Sequence, residues 1–263
     1  MQDFETIRIA RDGRGVATLT LARPEKHNAM SARMIAELAE AAERLGADAA
    51  VRAVILAAEG ESFCAGGDLG WMRAQMEADR ETRTAEAGAL ARMLMALDRL
   101  PKPLVGRIHG SAFGGGVGLA AVCDVALGAE GIRMGFTETR LGLIPATIGP
   151  YVVARMGAAR ARRVFMSARR FDAGEAVELG LLARAVPAGE LDAAVEAEVA
   201  PYLACAPGAV AEAKALLRTL SRPVGEEDIA RTVAALADRW ESPEAAEGIA
   251  AFFERRAPDW RPD

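Results

Sequence analysis

Two glycine-rich segments carry the residue pattern that most directly predicts chemistry. The segment HGSAFGGGVGLAAVCD (109–124) has five glycines within nine positions, and SFCAGGDLG (62–70) has adjacent glycines at 66 and 67. Each is predicted to lead into a helix, where backbone N–H groups without side chains in the way attract a negative oxygen. Two such donors aimed from two directions would stabilise an oxyanion, at about 3 kcal/mol per donor.

Two other interpretations of these glycines are open. Glycines also allow a helix to pack closely on a strand, which requires no ligand. In addition, GVGLAA (116–121) matches the dinucleotide fingerprint G-x-G-x-x-[GA], and Glu138 follows about 20 residues later. That fingerprint normally follows its strand directly and opens the fold, whereas here the loop HGSAF intervenes and about a hundred residues come before it.

The cysteine and histidine residues suggest a different chemistry. Cys64 or Cys123 could act with His109 as a thiol nucleophile and its base, although no spacing specifies either pair. We expect His109, which precedes the glycine loop, to bond to the backbone instead. The three cysteines, which include Cys205, lack metal-ligand spacing, so we expect reduced thiols and no metal site.

Composition argues against several classes of partner. The chain of 263 residues is 51% hydrophobic with a formal net charge of -5, which is typical of a globular protein with a large core. A nucleic-acid surface needs a basic patch, and arginine clusters such as ARARR (159–163) are predicted to be solvated helix faces. No leader pattern opens the chain and no apolar run is long enough to span a membrane. We therefore expect a cytoplasmic protein without nucleic-acid or membrane partners.

Hydrophobic periodicity predicts the elements that must position these segments. The stretches GVATLTLA (15–22), AVILAAEG (53–60) and PLVGRIHG (103–110) have the pattern of strands. Ser31 is predicted to cap one helix, and a longer helix is predicted over 83–99. Strands that alternate with helices predict parallel pairing in a layered α/β core.

The chain becomes helical in character after about residue 150. Apart from LLARAV (181–186), the remaining segments are helical patterns rich in Ala, Arg and Glu. Ala-rich faces are typical of helix packing or of contact between subunits. A helical C-terminal region from about residue 200 is therefore predicted.

Five segments together resemble the enoyl-CoA hydratase/isomerase family, also called the crotonase superfamily. They are RPEKHNAM (23–30), FCAGGDL (63–69), HGSAFGGGVGLAAVCD (109–124), MGFTETRLGLIP (134–145) and AFFERRAPDW (251–260). The resemblance covers nearly the whole chain, and the motifs are jointly specific for the family.

The resemblance implies an α/β fold of the crotonase (ClpP-like) type, a spiral of repeated β-β-α units with a helical C-terminal region that trimerises. On this basis we expect a core with an acyl-CoA site over 1–198, a helical region over 199–263, and a homotrimer or a hexamer built as a dimer of trimers. The shared chemistry is stabilisation of a thioester enolate by two backbone N–H groups, here those of Gly67 and Gly115. Coenzyme A would arrive as part of the substrate, so no separate cofactor is expected.

The resemblance also implies which residues surround coenzyme A. The turn that follows Cys64 would bend CoA so that its adenine meets the backbone. The residues expected to contact the substrate are Ala65, Gly66, Gly67, Asp68, Leu69 and Gly115. Arg23 or Lys26 near the entrance could meet the CoA phosphates, and a solvated surface role is an equal alternative for each.

The acid-base residues depart from the family pattern. The family's hydratases usually carry two glutamates that hold the water, and here the first position is Gly118 while the second is Glu138 in GFTE (135–138). We expect Glu138 to be the catalytic acid-base, with a pKa raised by burial. One carboxylate is enough to move a proton between two carbons, which favours a double-bond isomerase.

The stretch RLGLIPATIGPYVVARMG (140–157) favours a hydratase instead. It resembles the methylglutaconyl-CoA and carboxygeranoyl-CoA hydratases of leucine and acyclic terpene breakdown, whose substrates carry a carboxylate of their own. We therefore expect an enoyl-CoA hydratase that adds water to a 2-enoyl-CoA thioester, branched or carboxylated. The alternatives are a Δ3,Δ2-enoyl-CoA isomerase that uses a single glutamate and a crotonase-fold protein that binds acyl-CoA without turning it over.

Overall fold

The computed structural model describes residues 4–221 and 223–261, which form two β-sheets and the helices that pack on them. The strands are β1 (Ile7–Arg11), β2 (Val16–Leu21), β3 (Ala53–Ala58), β4 (Ser62–Cys64), β5 (Leu104–Ile108), β6 (Ser111–Phe113), β7 (Val125–Ala129), β8 (Arg133–Gly135), β9 (Arg170–Asp172) and β10 (Arg184–Val186). The helices are α1 (Ala32–Ala47), α2 (Leu69–Glu77), α3 (Arg80–Asp98), α4 (Gly115–Ala121), α5 (Gly149–Met156), α6 (Ala158–Ala161), α7 (Ala173–Glu178), α8 (Leu191–Leu203), α9 (Pro207–Leu220), α10 (Glu226–Trp240) and α11 (Pro243–Glu254). Short 3-10 turns cover Pro24–Lys26, Glu138–Leu141 and Ala188–Glu190.

From β3 to β8, consecutive strands alternate between the two sheets. The larger sheet has the order β1-β2-β3-β5-β7-β10, and the smaller has the order β4-β6-β8-β9. Thus β3, β5 and β7 lie in the larger sheet, while the strand that follows each of them lies in the smaller sheet and leads into a helical segment. Pairing is parallel except between β1 and β2 and between β8 and β9. The expected α/β class, the parallel pairing and the repeated β-β-α units are confirmed.

The three strands predicted from the sequence form the centre of the larger sheet. The stretches 15–22, 53–60 and 103–110 contain β2, β3 and β5. Leu19, Leu56 and Leu104 on these strands are fully buried. Burial of each leucine contributes about 1.5–3 kcal/mol, so this apolar layer accounts for much of the stability of the core.

The predicted helices begin at side-chain caps. The Ser31 hydroxyl accepts a hydrogen bond from the Met34 N–H at 3.3 Å, so α1 begins where the sequence indicated. The longer helix begins earlier than predicted, at Arg80, because the Asp79 carboxylate accepts a hydrogen bond from the Thr82 N–H at 2.8 Å. The first turn of α3 is exposed and has no apolar periodicity, so the sequence pattern predicts only the later part of the helix.

Helices α8 to α11 make up the described chain from Leu191 to Glu254, and two of them, α10 and α11, return to the core. Helix α10 packs on α3 through a small cluster formed by Ala87, Ala91, Ile229 and Val233. The expected boundary at 198/199 lies inside α8, whose Val195 and Val199 are buried in the main core. The core therefore continues to the end of α8. No helix within residues 4–221 and 223–261 is long and apolar enough to cross a membrane.

Helix α11 packs directly on the 3-10 turn Glu138–Leu141. A Cβ atom built on Gly248 of α11 would lie 2.6 Å from the Leu141 carbonyl carbon, and one built on Gly142 would collide with the Glu244 carbonyl oxygen. Both glycines thus permit contact between two backbones. The C-terminal helices are in this way held against the segment that carries Glu138.

Candidate active site

Three neighbouring parallel strands of the smaller sheet end at one edge. Strand β6 lies between β4 and β8, with Cys64 paired to Ala112 and Phe113 paired to Gly135. The glycine turn follows β4, helix α4 follows β6, and Glu138 lies three residues beyond the end of β8. Ligands bind at the carboxyl ends of parallel strands in open sheets, because the loops after adjacent strands converge there. Residues that lie far apart in the sequence meet at this edge.

The two glycine segments contact each other through their backbones. Gly66 has a φ of +97°, and a Cβ atom on it would lie 3.1 Å from the Phe113 carbonyl oxygen. A Cβ atom on Gly116 would collide with the Cys64 carbonyl oxygen. Side chains at these positions would force the segments apart, so the glycines bring the two turns together.

The N–H groups of Gly67 and Gly115 have no hydrogen-bond acceptor among the described residues. The Met30 N–H donates to the Gly66 carbonyl at 2.7 Å, and the Met30 carbonyl accepts from the Asp68 N–H at 2.9 Å. The N–H of Gly67, which lies between Gly66 and Asp68 in the chain, is left unpaired. Gly115 is the first residue of α4, so its N–H lacks an acceptor within the helix. Both residues line the same cavity, which makes both N–H groups available to a bound oxygen.

Glu138 places a carboxyl group in the same cavity. Its Oε2 atom is buried without a hydrogen-bond partner, and a Cβ atom on Gly114 would lie 3.1 Å from its Oε1 atom. Burial raises the pKa of Glu138 to about 7, against a smaller lowering by the backbone N–H groups of Glu138 and Thr137. The carboxyl group can therefore exist in both protonation states near neutral pH, which a proton-transfer group needs.

The cavity has a volume of about 310 Å³ and mostly apolar walls. Ala65, Gly66 and Leu69, which are predicted to contact the substrate, also line it. The apolar walls come from several elements and include Met30, Phe113, Leu143, Ile144, Ile148, Leu236, Trp240 and Phe252. An apolar chain attached to a polar carbonyl group fits such a surface.

Three other predicted binding residues lie outside this cavity. Arg23 pairs with Asp68 at 3.0 Å, with only 18% and 15% of the two side chains exposed, and it also donates to the Ala29 carbonyl at 2.8 Å. Asp68 in addition caps α2 by accepting from the Gly70 N–H at 2.9 Å, and these partners hold the pKa of its carboxyl group below its usual range, against the effect of burial. Both side chains therefore have structural partners. Lys26 is exposed, and its role remains a prediction.

Some glycines of the segment 109–124 serve packing instead of binding. A Cβ atom on Gly110 would collide with the Glu61 carbonyl oxygen, and one on Gly118 would collide with Ile148 Cγ2. The packing interpretation therefore holds for Gly110, Gly116 and Gly118, whereas Gly114 and Gly115 line the cavity.

Neither Cys64 nor Cys123 forms a nucleophile–base pair with His109. His109 Nε2 bonds to the Gly60 carbonyl oxygen at 2.8 Å, which confirms the expected backbone contact. Cys64 and Cys123 are buried, and burial raises the pKa of each thiol to about 12. Neither thiol ionises near neutral pH, so neither is an activated nucleophile.

Several cavity residues were not predicted from the sequence. Trp71 donates its indole N–H to Glu86 at 2.8 Å, and Arg140, Thr147 and Arg170 contribute polar groups to the walls. Trp71, Arg140 and Thr147 lie within the quoted segments or beside them, where a pattern search could have found them, whereas Arg170 does not. Leu236 and Trp240 of α10 reach the cavity through tertiary packing alone, so no local signal marks them.

Comparison with known proteins shows the family of this chain. Residues 11–263 match the family described as Enoyl-CoA hydratase/isomerase. The crystal structure of an enoyl-CoA hydratase from Shewanella pealeana is 37% identical with a TM-score of 0.81, over 98% of this chain and 97% of that chain. An enoyl-CoA hydratase from Mycobacterium smegmatis is 37% identical with a TM-score of 0.80, over 97% of this chain and 99% of that chain. Enoyl-CoA hydratase AFT6-1 of Alternaria alternata is 34% identical, over 81% of this chain and 70% of its own length. The chain therefore belongs to the enoyl-CoA hydratase/isomerase family.

Proposed function

We propose that this protein is an enoyl-CoA hydratase that adds water across the double bond of a 2-enoyl-CoA thioester. The observation that carries the proposal is the buried Oε2 atom of Glu138, which has no hydrogen-bond partner, in one cavity with two free backbone N–H groups. A buried carboxyl oxygen without a partner is costly, and it persists where a ligand or a water molecule completes its hydrogen bonds.

The reaction follows from these three groups. The N–H groups of Gly67 and Gly115 bind the thioester oxygen and stabilise the negative charge that develops on it. Glu138 takes a proton from water while the water oxygen bonds to C3 and the electrons of the double bond move to the thioester oxygen. Glu138 then returns this proton to C2 as the enolate collapses, which restores the carboxylate.

Coenzyme A is the only carrier that the mechanism requires, and it is part of the substrate. We place it against the turn Ala65–Leu69, which follows β4 and in which Ala65 and Leu69 are exposed. Lys26, an exposed cation in the segment before α1, is the proposed contact for a CoA phosphate. Arg23 is a weaker candidate because its guanidinium group is already paired with Asp68.

The acyl group that we propose is branched or carries a free carboxylate in addition to its thioester. Arg140 and Arg170 line the mostly apolar cavity, and neither guanidinium group has a carboxylate partner within residues 4–221 and 223–261. The Arg170 guanidinium lies 5.2 Å from the centre of the Phe113 ring. Arginine binds carboxylates in a bidentate manner, so a free carboxylate on the substrate would complete this surface.

A Δ3,Δ2-enoyl-CoA isomerase is the second candidate. Glu138 is the one carboxylate that lines the cavity among the described residues, and Gly118 has no side chain. Transfer of a proton between two carbons needs one such group and no bound water. The two activities share the oxyanion site and differ only in the attack of water.

Homotrimers or hexamers are the proposed assembly. Leu216, Leu217 and Leu220 on α9 are exposed. Val153 and Met166 are also exposed, and they line a groove that reaches Ser221 at the end of α9. Apolar surface of this kind usually marks an interface in a water-soluble assembly. Light scattering at micromolar concentration should give at least three times the mass of one chain, and a monomer would contradict the assembly.

The function is tested with a panel of straight, branched and carboxylated enoyl-CoA esters in water enriched in heavy oxygen. Hydration predicts a 3-hydroxyacyl product that contains heavy oxygen. This product should form at the rate at which the absorbance of the conjugated thioester is lost. Glu138→Gln should lower this rate about 100-fold or more while leaving CoA-ester affinity nearly unchanged. Unlabelled 2-enoyl product from a 3-enoyl ester, without hydration, would support the isomerase, and tight binding without turnover would support a binding protein.

A further inference from the structure

Met30 contacts both of the segments that carry the proposed oxyanion donors. Its backbone forms two hydrogen bonds with the turn after β4: the Met30 N–H donates to the Gly66 carbonyl at 2.7 Å, and the Met30 carbonyl accepts from the Asp68 N–H at 2.9 Å. These two bonds enclose Gly67 and leave its own N–H free. The backbone of Met30 therefore fixes the position of the first donor.

The side chain of Met30 reaches the second donor. A Cβ atom built on Gly115 would lie 1.9 Å from Met30 Cε and 3.6 Å from Met30 Sδ. Apart from its chain neighbours and the backbone of its own helix, no other described residue has an atom within 4 Å of that Cβ. The methyl group of Met30 thus rests on the Cα of Gly115. Met30 is only 2% exposed, so the atoms packed around it hold this side chain in place.

The chain on either side of Met30 is anchored. Asn28 is fully buried, and its amide group donates to the Glu59 carbonyl at 2.8 Å and to the Ser62 carbonyl at 2.9 Å, beside β3 and β4. Ser31, which directly follows Met30, caps α1. Met30 is held at both of its ends, so it gives the two donors a fixed support.

We propose that Met30 is a positioning residue that sets the distance between the N–H groups of Gly67 and Gly115, an inference that rests on the oxyanion site of the proposed function. The two donors belong to different elements, the turn after β4 and the start of α4. Both must lie about 2.7–3.1 Å from the same oxygen to stabilise its charge. Misplacement by about 1 Å can lower a rate about 100-fold, so the contact of one methyl group is sufficient to affect turnover.

The test moves this methyl group from residue 30 to residue 115. Met30→Ala keeps both backbone hydrogen bonds and removes the methyl group. Met30→Ala combined with Gly115→Ala returns a methyl group at 1.9 Å from the original place, where no other described side chain obstructs it. Met93→Ala is the control, because Met93 on α3 is fully buried in the core and does not line the cavity.

The measurements are kcat, the Kd of a saturated acyl-CoA, and the absorption maximum of bound dimethylaminocinnamoyl-CoA. The absorption of this conjugated ester moves to longer wavelength when hydrogen bonds polarise its thioester carbonyl, so the shift reports on the two donors without turnover. Hydration and isomerisation both use the oxyanion site, and kcat is therefore taken for the reaction that the parent catalyses.

Met30→Ala should lower kcat about 10- to 100-fold and reduce the wavelength shift, with Kd within about threefold of the parent. The double variant should recover kcat to within about threefold and restore the shift, because the methyl contact is present again. Met93→Ala should lose stability in urea as Met30→Ala does, since each leaves a cavity in the core, while its kcat and wavelength shift match the parent.

The outcomes separate this inference from the proposed function. If Met30→Ala keeps kcat within about threefold and keeps the shift, or if the double variant recovers neither, the role of Met30 is wrong and the function stands. If Met93→Ala lowers kcat and the shift as much as Met30→Ala, lost stability explains both, and the positioning role is again wrong. A parent that binds dimethylaminocinnamoyl-CoA without a shift and turns over neither a 2-enoyl nor a 3-enoyl ester overturns the oxyanion site, and with it both the proposed function and the role of Met30.

Discussion

Ile148 fills the space that a side chain on Gly118 would need. A Cβ atom on Gly118 would collide with Ile148 Cγ2 and would lie 3.1 Å from Ile148 Cβ. Gly118 is buried in the middle of α4, and Ile148 is only 2% exposed, so neither can move aside into solvent. The lack of a glutamate at position 118 is therefore accompanied by a packing arrangement that excludes any side chain there.

The first prediction concerns this contact. Gly118→Ala should destabilise the protein by about 1–3 kcal/mol, because overpacking of the buried site outweighs the better helix propensity of alanine. In an Ile148→Ala background the same change should be neutral or stabilising. Urea unfolding of the four proteins of this double-mutant cycle measures the coupling. Equal effects of Gly118→Ala in both backgrounds would show that the two side chains do not compete for space.

A second prediction uses the space that Ile148→Ala opens. If the parent is built to hydrate with Glu138 alone, Gly118→Glu combined with Ile148→Ala should gain little hydratase activity or lose it. A second carboxylate near Glu138 would repel it and raise one of the two pKa values. The rates of 2-enoyl hydration and 3-enoyl isomerisation should be compared with those of Ile148→Ala alone. A large gain in hydration would instead identify the parent as an isomerase that lacked a second water ligand.

The third prediction is the pH dependence of catalysis. Glu138 must be ionised to accept a proton from water, and burial raises its pKa to about 7. The value of kcat/KM for hydration should therefore rise with pH through about 7 and level off above about 8. Measurement from pH 5.5 to 9 with a neutral acyl chain avoids titration of the substrate. A flat profile across this range would remove Glu138 as the base.

The sequence predicted the parts of the site that depend on residue type. The glycine turns are visible in the sequence, and the family resemblance assigns the two N–H donors within them to Gly67 and Gly115, so this prediction does not need the fold. The long strands β2, β3 and β5 were also predicted, because their apolar runs exceed what a loop would contain. In both cases the signal lies within a few neighbouring residues.

The rest of the site could not be predicted because it depends on tertiary contacts. Strands β4, β6 and β8 have three residues each, too few for periodicity, yet they bring the segments that carry Gly67, Gly115 and Glu138 side by side. The ion pair between Arg23 and Asp68 joins residues that are 45 positions apart in the sequence, so no local pattern indicates it. Likewise Leu236 and Trp240 reach the cavity only because α10 returns to the core.

The fourth prediction isolates the oxyanion donor at Gly115. A Cβ atom on Gly115 would overlap the terminal methyl group of Met30, a flexible side chain that can give way. Both Gly115→Ala and Gly115→Pro introduce this Cβ, but only proline removes the N–H, and proline is tolerated at the first position of a helix. Gly115→Pro should therefore be about 100-fold slower than Gly115→Ala, with similar stability. Similar turnover of the two folded variants would place the oxyanion elsewhere.

The fifth prediction concerns the stability cost of keeping Glu138 buried. The folded-state pKa of about 7 lies above the ordinary value of 4.5, so between these pH values the folded protein binds more protons than the unfolded chain. Stability is then lost as the pH rises through this interval, and above pH 7 the ionised, buried carboxylate destabilises the fold. Glu138→Gln, which cannot ionise, should raise the free energy of unfolding by up to about 3 kcal/mol at pH 8 and by less than about 1 kcal/mol at pH 5. Urea unfolding at the two pH values measures the difference, with Glu43→Gln on the exposed surface of α1 as the control that should change little at either. We expect Glu138→Gln to be inactive and yet more stable than the parent at pH 8. An equal gain in the free energy of unfolding at both pH values, or a loss at both, would mean that burial does not destabilise the ionised Glu138 carboxylate.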